Sequence, residues 1–154
     1  MRPYALPLVS LVRRGPRAQL LVLEAMFSLL LAFLRLKTCS FARIARQLGV
    51  FVAPGDPRAG GRFLCPRPDQ VRAARRVGWA VRSTAALLPS HFLCLHQAMA
   101  AHAMLRRRGI ACVVHFGRGP EPPFRDGHAW LDAAGVGVTG YPVDPAIAEL
   151  GCLV

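Results

Sequence analysis

Between Leu20 and Leu34 the chain carries fifteen residues of which only Glu24 and Ser28 are polar. Such a stretch has to leave water, and this constrains the fold more than any other feature. Arg13, Arg14 and Arg17 flank it on one side, Arg35 and Lys37 on the other. A bilayer span needs about 20 apolar residues. A shorter run with an internal glutamate is read as a core or partner-facing helix, with a membrane-surface role as the remaining reading. The helical pattern runs from Ala18 to about Gln47, and Phe41 to Leu48 forms a second short helix stopped by Gly49.

At 154 residues the chain is long enough for one domain with a real core, and its 53% apolar and 18% charged residues describe a globular chain. Lys37 is its one lysine, so nineteen arginines carry most of a net charge of +12. Arginine bonds two oxygens of a carboxylate or phosphate at once. The charge therefore implies an acidic partner: a protein or peptide, a nucleic acid or an anionic membrane surface. The five cysteines are widely spaced, with no Cys-x-x-Cys pair, so neither a structural zinc site nor another metal site is expected. The proline-punctuated residues 1–16 lack a small-residue cleavage site, so no signal peptide is expected. Free thiols and a cytosolic location follow.

Residues 52–69 hold Pro54, Gly55, Pro57, Gly60, Gly61, Pro66 and Pro68, and read as a linker. It divides an amino-terminal helical arm and linker, residues 1–69, from a catalytic core, residues 70–154, with one compact unit expected. Asp69 is expected to cap a helix from about Gln70 to Leu88, and Ser90 a helix from about His91 to Arg108 that Gly109 ends. Ile110 to Phe116 alternates as a strand, with Ile110, Cys112, Val114 and Phe116 on one face. After a Gly117–Gly127 loop, a second strand starts at His128, turns near Gly135 and returns toward Asp144.

Cys94 falls in the first turn of its helix, where unpaired N–H groups and the positive dipole end favour a thiolate. The other four cysteines read as small hydrophobes. From Cys94 to Arg108 a helix rises about 22 Å, and the following strand returns about 23 Å. If the two pack antiparallel, His128 arrives at the level of Cys94, and the hairpin about Val136 brings Asp144 opposite His128. Cys94, His128 and Asp144 thus converge as nucleophile, base and orienting carboxylate. Asp132 is the rival acid, on the face of His128 but about 13 Å along the strand. Asp126, in the loop, ranks below it. Trp130 reads as a lid on the site, and His91, His96, His102 and His115 as surface or structural residues.

The segments Cys94-Leu95-His96-Gln97-Ala98, Leu105-Arg106-Arg107-Arg108-Gly109-Ile110 and Gly127-His128-Ala129-Trp130-Leu131 resemble the transglutaminase-like core. More narrowly, they resemble the stand-alone leader peptidase (B protein) of lasso-peptide biosynthesis, over most of residues 18–150. The resemblance implies an α+β fold in which a Cys-bearing helix packs on a small antiparallel sheet. It implies a cysteine endopeptidase that cuts a ribosomal precursor between leader and core. Cys94 would attack the scissile carbonyl, His128 would move the proton, and an acid would orient the imidazole. Asp144 matches the transglutaminase-like position by spacing, whereas lasso-type members often place the acid nearer the histidine, where this chain has Gly140 and Tyr141. No cofactor is implied.

The precursor peptide is the implied substrate. A separate leader-recognition protein is the implied partner, because residues 1–69 lack the strands of a winged-helix recognition domain. An ATP-using macrolactam cyclase is a further candidate partner. Nucleic acid is not expected, since aromatics are few and not interleaved with the basic residues. The rival classes are a transglutaminase-like acyltransferase or amidase acting on another substrate, and a non-enzymatic basic binding protein.

Overall fold

The computed structural model describes residues 15–61, 65–88, 93–120 and 127–154. The elements in order are α1 (Pro16–Thr38), α2 (Phe41–Leu48), β1 (Phe51–Val52), α3 (Pro57–Gly61), α4 (Pro68–Leu87), α5 (Cys94–Arg106), β2 (Cys112–Arg118), β3 (Gly127–Ala133), β4 (Val136–Thr139) and β5 (Ala148–Leu153). The five strands form one antiparallel sheet in the order β1-β5-β2-β3-β4. This is an α+β arrangement with α1, α2, α4 and α5 in the core on one face of the sheet and the short α3 packed by Ala59 on the other.

The alternation in β2 sorts its side chains as the sequence implies. Ile110, Cys112, Val114 and Phe116 join the helix-facing core, while Val113 packs on the opposite face with Val52 and Cys152. From β3, Ala129, Leu131 and Ala133 face the helices. The α4 helix lies close on β4 at Gly78, where a Cβ would stand 2.6 Å from Val138 O, and Arg82 donates a hydrogen bond to that same carbonyl.

The apolar helix α1 is built into this core. Ala25 and Leu29 are fully buried, and α1 packs on both α4 and α5. Glu24 explains how the run tolerates a carboxylate: it accepts hydrogen bonds from Arg107 (3.1 Å) and Arg108 (2.9 and 2.6 Å) just past the end of α5. The opposite face of α1 stays open, with Leu20, Leu23, Phe27, Leu30 and Leu34 each 44–66% exposed. By length and composition alone this helix is long and apolar enough to cross a membrane.

Four local expectations are corrected. The helix before the site starts at Pro68 rather than at Gln70. Arg67, not Asp69, is its N-cap, because Pro68 suits the first helical position and Gln70 reaches back to accept the Arg67 N–H at 3.2 Å. The next helix starts at Cys94, after an extended Leu93, rather than at His91; the expected cap Ser90 lies outside the described residues. The 52–69 linker contains the short helix α3, and Phe51–Val52 is a strand that pairs with β5, so this region is tied into the sheet. Finally, Ala148–Leu153 is a strand inserted between β1 and β2, which period-2 alternation does not reveal.

Candidate active site

Cys94 is the first residue of α5, and the first intrahelical bond, from Gln97 N–H to Leu93 O, is 3.2 Å long. Its half-buried Sγ sits against the β3 backbone on both sides of His128. Ala129 N–H donates to it at 3.4 Å, and Gly127 O lies 3.9 Å away. Topology supplies this opening. The β3–β4 ladder ends at the Leu131↔Thr139 pair, so on the edge facing away from β2 the Ala129 N–H has no β4 carbonyl to meet. The thiol takes that position.

The His128 imidazole is half-buried and stacks on Trp130, with ring centroids 5.8 Å apart. Its Nε2 lies 2.6 Å from Gly140 O. A carbonyl only accepts, so Nε2 carries the proton in the neutral ring and Nδ1 keeps the lone pair. Gly140 makes the approach feasible. It adopts φ +80°, and a Cβ there would stand 2.4 Å from Ala129 O and 2.7 Å from Trp130 Cα.

Tyr141, next along the chain, anchors the same turn by donating its hydroxyl to Asp132 Oδ1. Burial, and then the Asp132 carboxylate, push the phenol well above its ordinary value, which keeps the donor protonated. The second Asp132 oxygen lies 3.3 Å from His115 Nε2, an ion-pair contact, and His115 Nδ1 is 2.7 Å from Glu149 Oε1. Burial works against charge on His115, but the two carboxylates outweigh it and raise its pKa. His115 also stacks on Trp130, nearly parallel, at 5.3 Å and 4°. The buried Trp130 ring is therefore in contact with two imidazoles.

Of the expected residues, the structure seats the Cys94 sulfur on the β3 backbone at the two residues that flank His128. Asp144 is exposed, and its Oδ1 accepts the Ala146 N–H at 2.8 Å, bracing the turn into β5. The group that meets the His128 ring is the Gly140 carbonyl. Asp132 contacts Tyr141 and His115. Asp126 and His91 lie outside the described residues. His96 stacks on Phe33, and His102 is buried with Nε2 3.0 Å from Leu48 O.

His115, Glu149 and Cys152 bring three potential ligand atoms within 4.8 Å of one another. The chemistry does not suit a metal. Both ring nitrogens of His115 face carboxylates that favour its charged, lone-pair-free form, and burial raises the Cys152 thiol, as does Glu149.

Sequence reasoning missed Ala129 N–H, Gly140 O and the Tyr141–Asp132 brace. The first two are backbone atoms. The third had a faint signal, a tyrosine beside a glycine at the end of a hairpin.

Comparison with known proteins gives one match among family models. Residues 36–148 fit the model described as the Transglutaminase-like superfamily. No curated protein and no solved structure matches the chain.

Proposed function

Because the chain belongs to the transglutaminase-like superfamily, whose members are generally cysteine-dependent enzymes, we propose that it is a cytosolic cysteine peptidase with Cys94 as nucleophile and His128 as base. One observation carries this reading. The Cys94 sulfur is seated on the backbone on both sides of His128, while Nε2 of that ring is committed to Gly140 O, so the basic Nδ1 is the nitrogen left for proton transfer.

The chemistry follows from those atoms. Nδ1 takes the thiol proton as Sγ bonds to the scissile carbonyl carbon, whose π electrons move to oxygen. The backbone N–H of Cys94, at the helix start, is a donor for that oxyanion. Collapse breaks the C–N bond, and Nδ1–H delivers its proton to the leaving amine. Water, deprotonated by Nδ1, then attacks the thioester, and the proton returns to Sγ as the acid product leaves. Throughout, Gly140 O holds the ring and accepts from Nε2–H. In this scheme a carbonyl dipole does the orienting, and the positive imidazolium is stabilised by a dipole instead of a full charge. Asp144, expected from spacing as the orienting acid, stands as the rival for that role.

The substrate we propose is a ribosomal precursor peptide of the lasso type, cut between leader and core. A separate leader-recognition protein would present it, and the exposed apolar face of α1 is an available docking surface for that partner.

The test is the rate of thiol alkylation at mildly acidic pH, mapped for each of the five cysteines, in wild type and in His128→Ala. Cys94 is expected to label fastest, and to slow in the variant. Labelling of Cys94 no faster than exposed Cys65 would remove the nucleophile from this account. With a peptide substrate, an amine adduct in place of a hydrolysed fragment would identify an acyltransferase.

A further inference from the structure

At the end of the helical layer away from Cys94, a cavity of about 640 Å³ opens between the start of α1 and the first half of α4. Arg17, Arg72, Arg75, Arg76 and Arg108 line it. Arg108 is already matched, since Glu24 takes two of its hydrogen bonds. The rim acid Asp69 is matched too, 3.2 Å from Arg67. The other four guanidiniums of the cavity are exposed and have no acidic partner among the described residues.

That arrangement is unfavourable in the free protein. Arg72, Arg75 and Arg76 stand at i, i+3 and i+4 on one helix, where like charges repel. Arg17 adds a fourth charge from across the cavity. Nothing in the fold requires these side chains, because the buried residues of this part of α4 are Ala74 and Val77.

Beneath the charges the surface is apolar. Ala18 and Leu21 from α1 meet Ala73 and Val77 from α4. We infer that this cavity is a binding site for an acidic segment of polypeptide, with carboxylates on the arginine rim and an apolar side chain on the floor. A small anion would engage one point of the rim and leave the floor wet. A nucleic-acid duplex is a convex rod and would reach the rim alone. A peptide alternating acidic and apolar residues uses both surfaces, and arginine pairs carboxylates bidentately.

The site has a consequence for cleavage that rests on the peptidase reading above. Arg108 and Cys94 mark opposite ends of α5, about 20 Å apart at the helical rise. A single chain that fills the cavity and reaches Cys94 needs at least about six extended residues between its acidic segment and the cut bond.

The experiment measures binding apart from turnover. Cys94→Ala protein is titrated with a fluorescein-labelled peptide of alternating Glu and Leu, with the Gln-for-Glu peptide, inorganic phosphate and a short DNA duplex as competitors. The site is then altered by R72Q/R76Q, with R43Q/R46Q on α2 as an exposed control of equal charge change, and circular dichroism reports folding of each. The inference expects saturable binding of the Glu peptide, no competition from the Gln peptide, and at least about a tenfold loss in R72Q/R76Q with none in R43Q/R46Q. Equal losses in both variants would assign the binding to net charge and overturn it. Displacement by phosphate or DNA at lower concentration than by unlabelled Glu peptide would overturn it in favour of that ligand. None of these outcomes depends on whether Cys94 is a nucleophile, and failure of the alkylation test would leave the binding result standing.

Discussion

Gly140 sets the position of the His128 ring, and the chain spends two neighbouring features on keeping it there. The left-handed backbone lets the carbonyl approach Nε2, and Tyr141 ties the turn to Asp132. Removing the tie without changing the bulk of the ring is a clean test. Tyr141→Phe is expected to lower kcat by about ten- to a hundredfold, with KM little changed, because a catalytic group displaced by an ångström loses that much. Asp144→Asn is expected to cost less than about threefold in kcat, since the amide oxygen still accepts the Ala146 N–H. Steady-state kinetics on one peptide decides between them. A collapse of kcat in Asp144→Asn, with Tyr141→Phe near wild type, would return the orienting role to the acid. The difference between what was legible and what was not is physical. Cys94 and His128 are candidates by side-chain type and by helix and strand lengths. The atom that meets His128 is a carbonyl, which every residue has, and only a turn geometry selects it.

At the scale of elements, α5 is fixed at three levels: Cys94 on β3 at its start, His102 on Leu48 O in its middle, and Arg107 and Arg108 on Glu24 beyond its end. The middle contact makes stability depend on acid. Burial, helped by the Arg106 charge and opposed by the bond to Leu48 O, lowers the His102 pKa to about 4. The unfolded chain takes up that proton near 6.5. Between about 6.5 and 4 the unfolded state therefore binds more protons, and stability falls as pH falls, by at most about 1.4 kcal/mol per unit. His115 has the opposite sign. Its raised value contributes stability that is complete below about 6.5 and is lost as pH climbs through the folded value. Urea midpoints measured across this range should peak near the ordinary histidine value, and His102→Gln should flatten the acid limb alone. An unchanged acid limb would mean that His102 is not the group titrating. The regular parts of these elements could be read from apolar spacing. Their ends could not: α4 starts two residues ahead of Gln70 because Pro68 and the backward reach of Gln70 outcompete Asp69 as an organiser of the first turn.

On the scale of the whole molecule, the α+β class and the helix-on-sheet plan were readable, while the membership of the sheet was not. Phe51–Val52 is too short to show a period, and Ala148–Leu153 mixes an exposed Leu150 with a buried Gly151 and Cys152. Their identity as strands comes from what they pair with, which is information held far away in the chain. One outcome depends on the assembled whole. A chain ending ahead of Ala148 should fail to give a protease-resistant core even though every helix is present. Resistance to limited proteolysis, compared with the full chain, checks this; a resistant truncated form would show that the helices with β2, β3 and β4 suffice.

The place of β5 between β1 and β2 also bears on when the protein becomes competent during translation. The ribosome delivers both of its neighbours first and cannot supply the strand that joins them until every residue ahead of Ala148 is made. Until then the backbone groups of Val114, Phe116 and Arg118 that β5 later engages lie open as a sheet edge. A nascent chain would already carry Cys94, His128 and the Gly140 turn, yet the sheet under them would lack the strand that joins β1 to β2. Contacts this distant in sequence are slow to form. Cys94 is thus synthesised well before the sheet that supports it is complete, and the interval is one in which an emerging chain is most open to a chaperone.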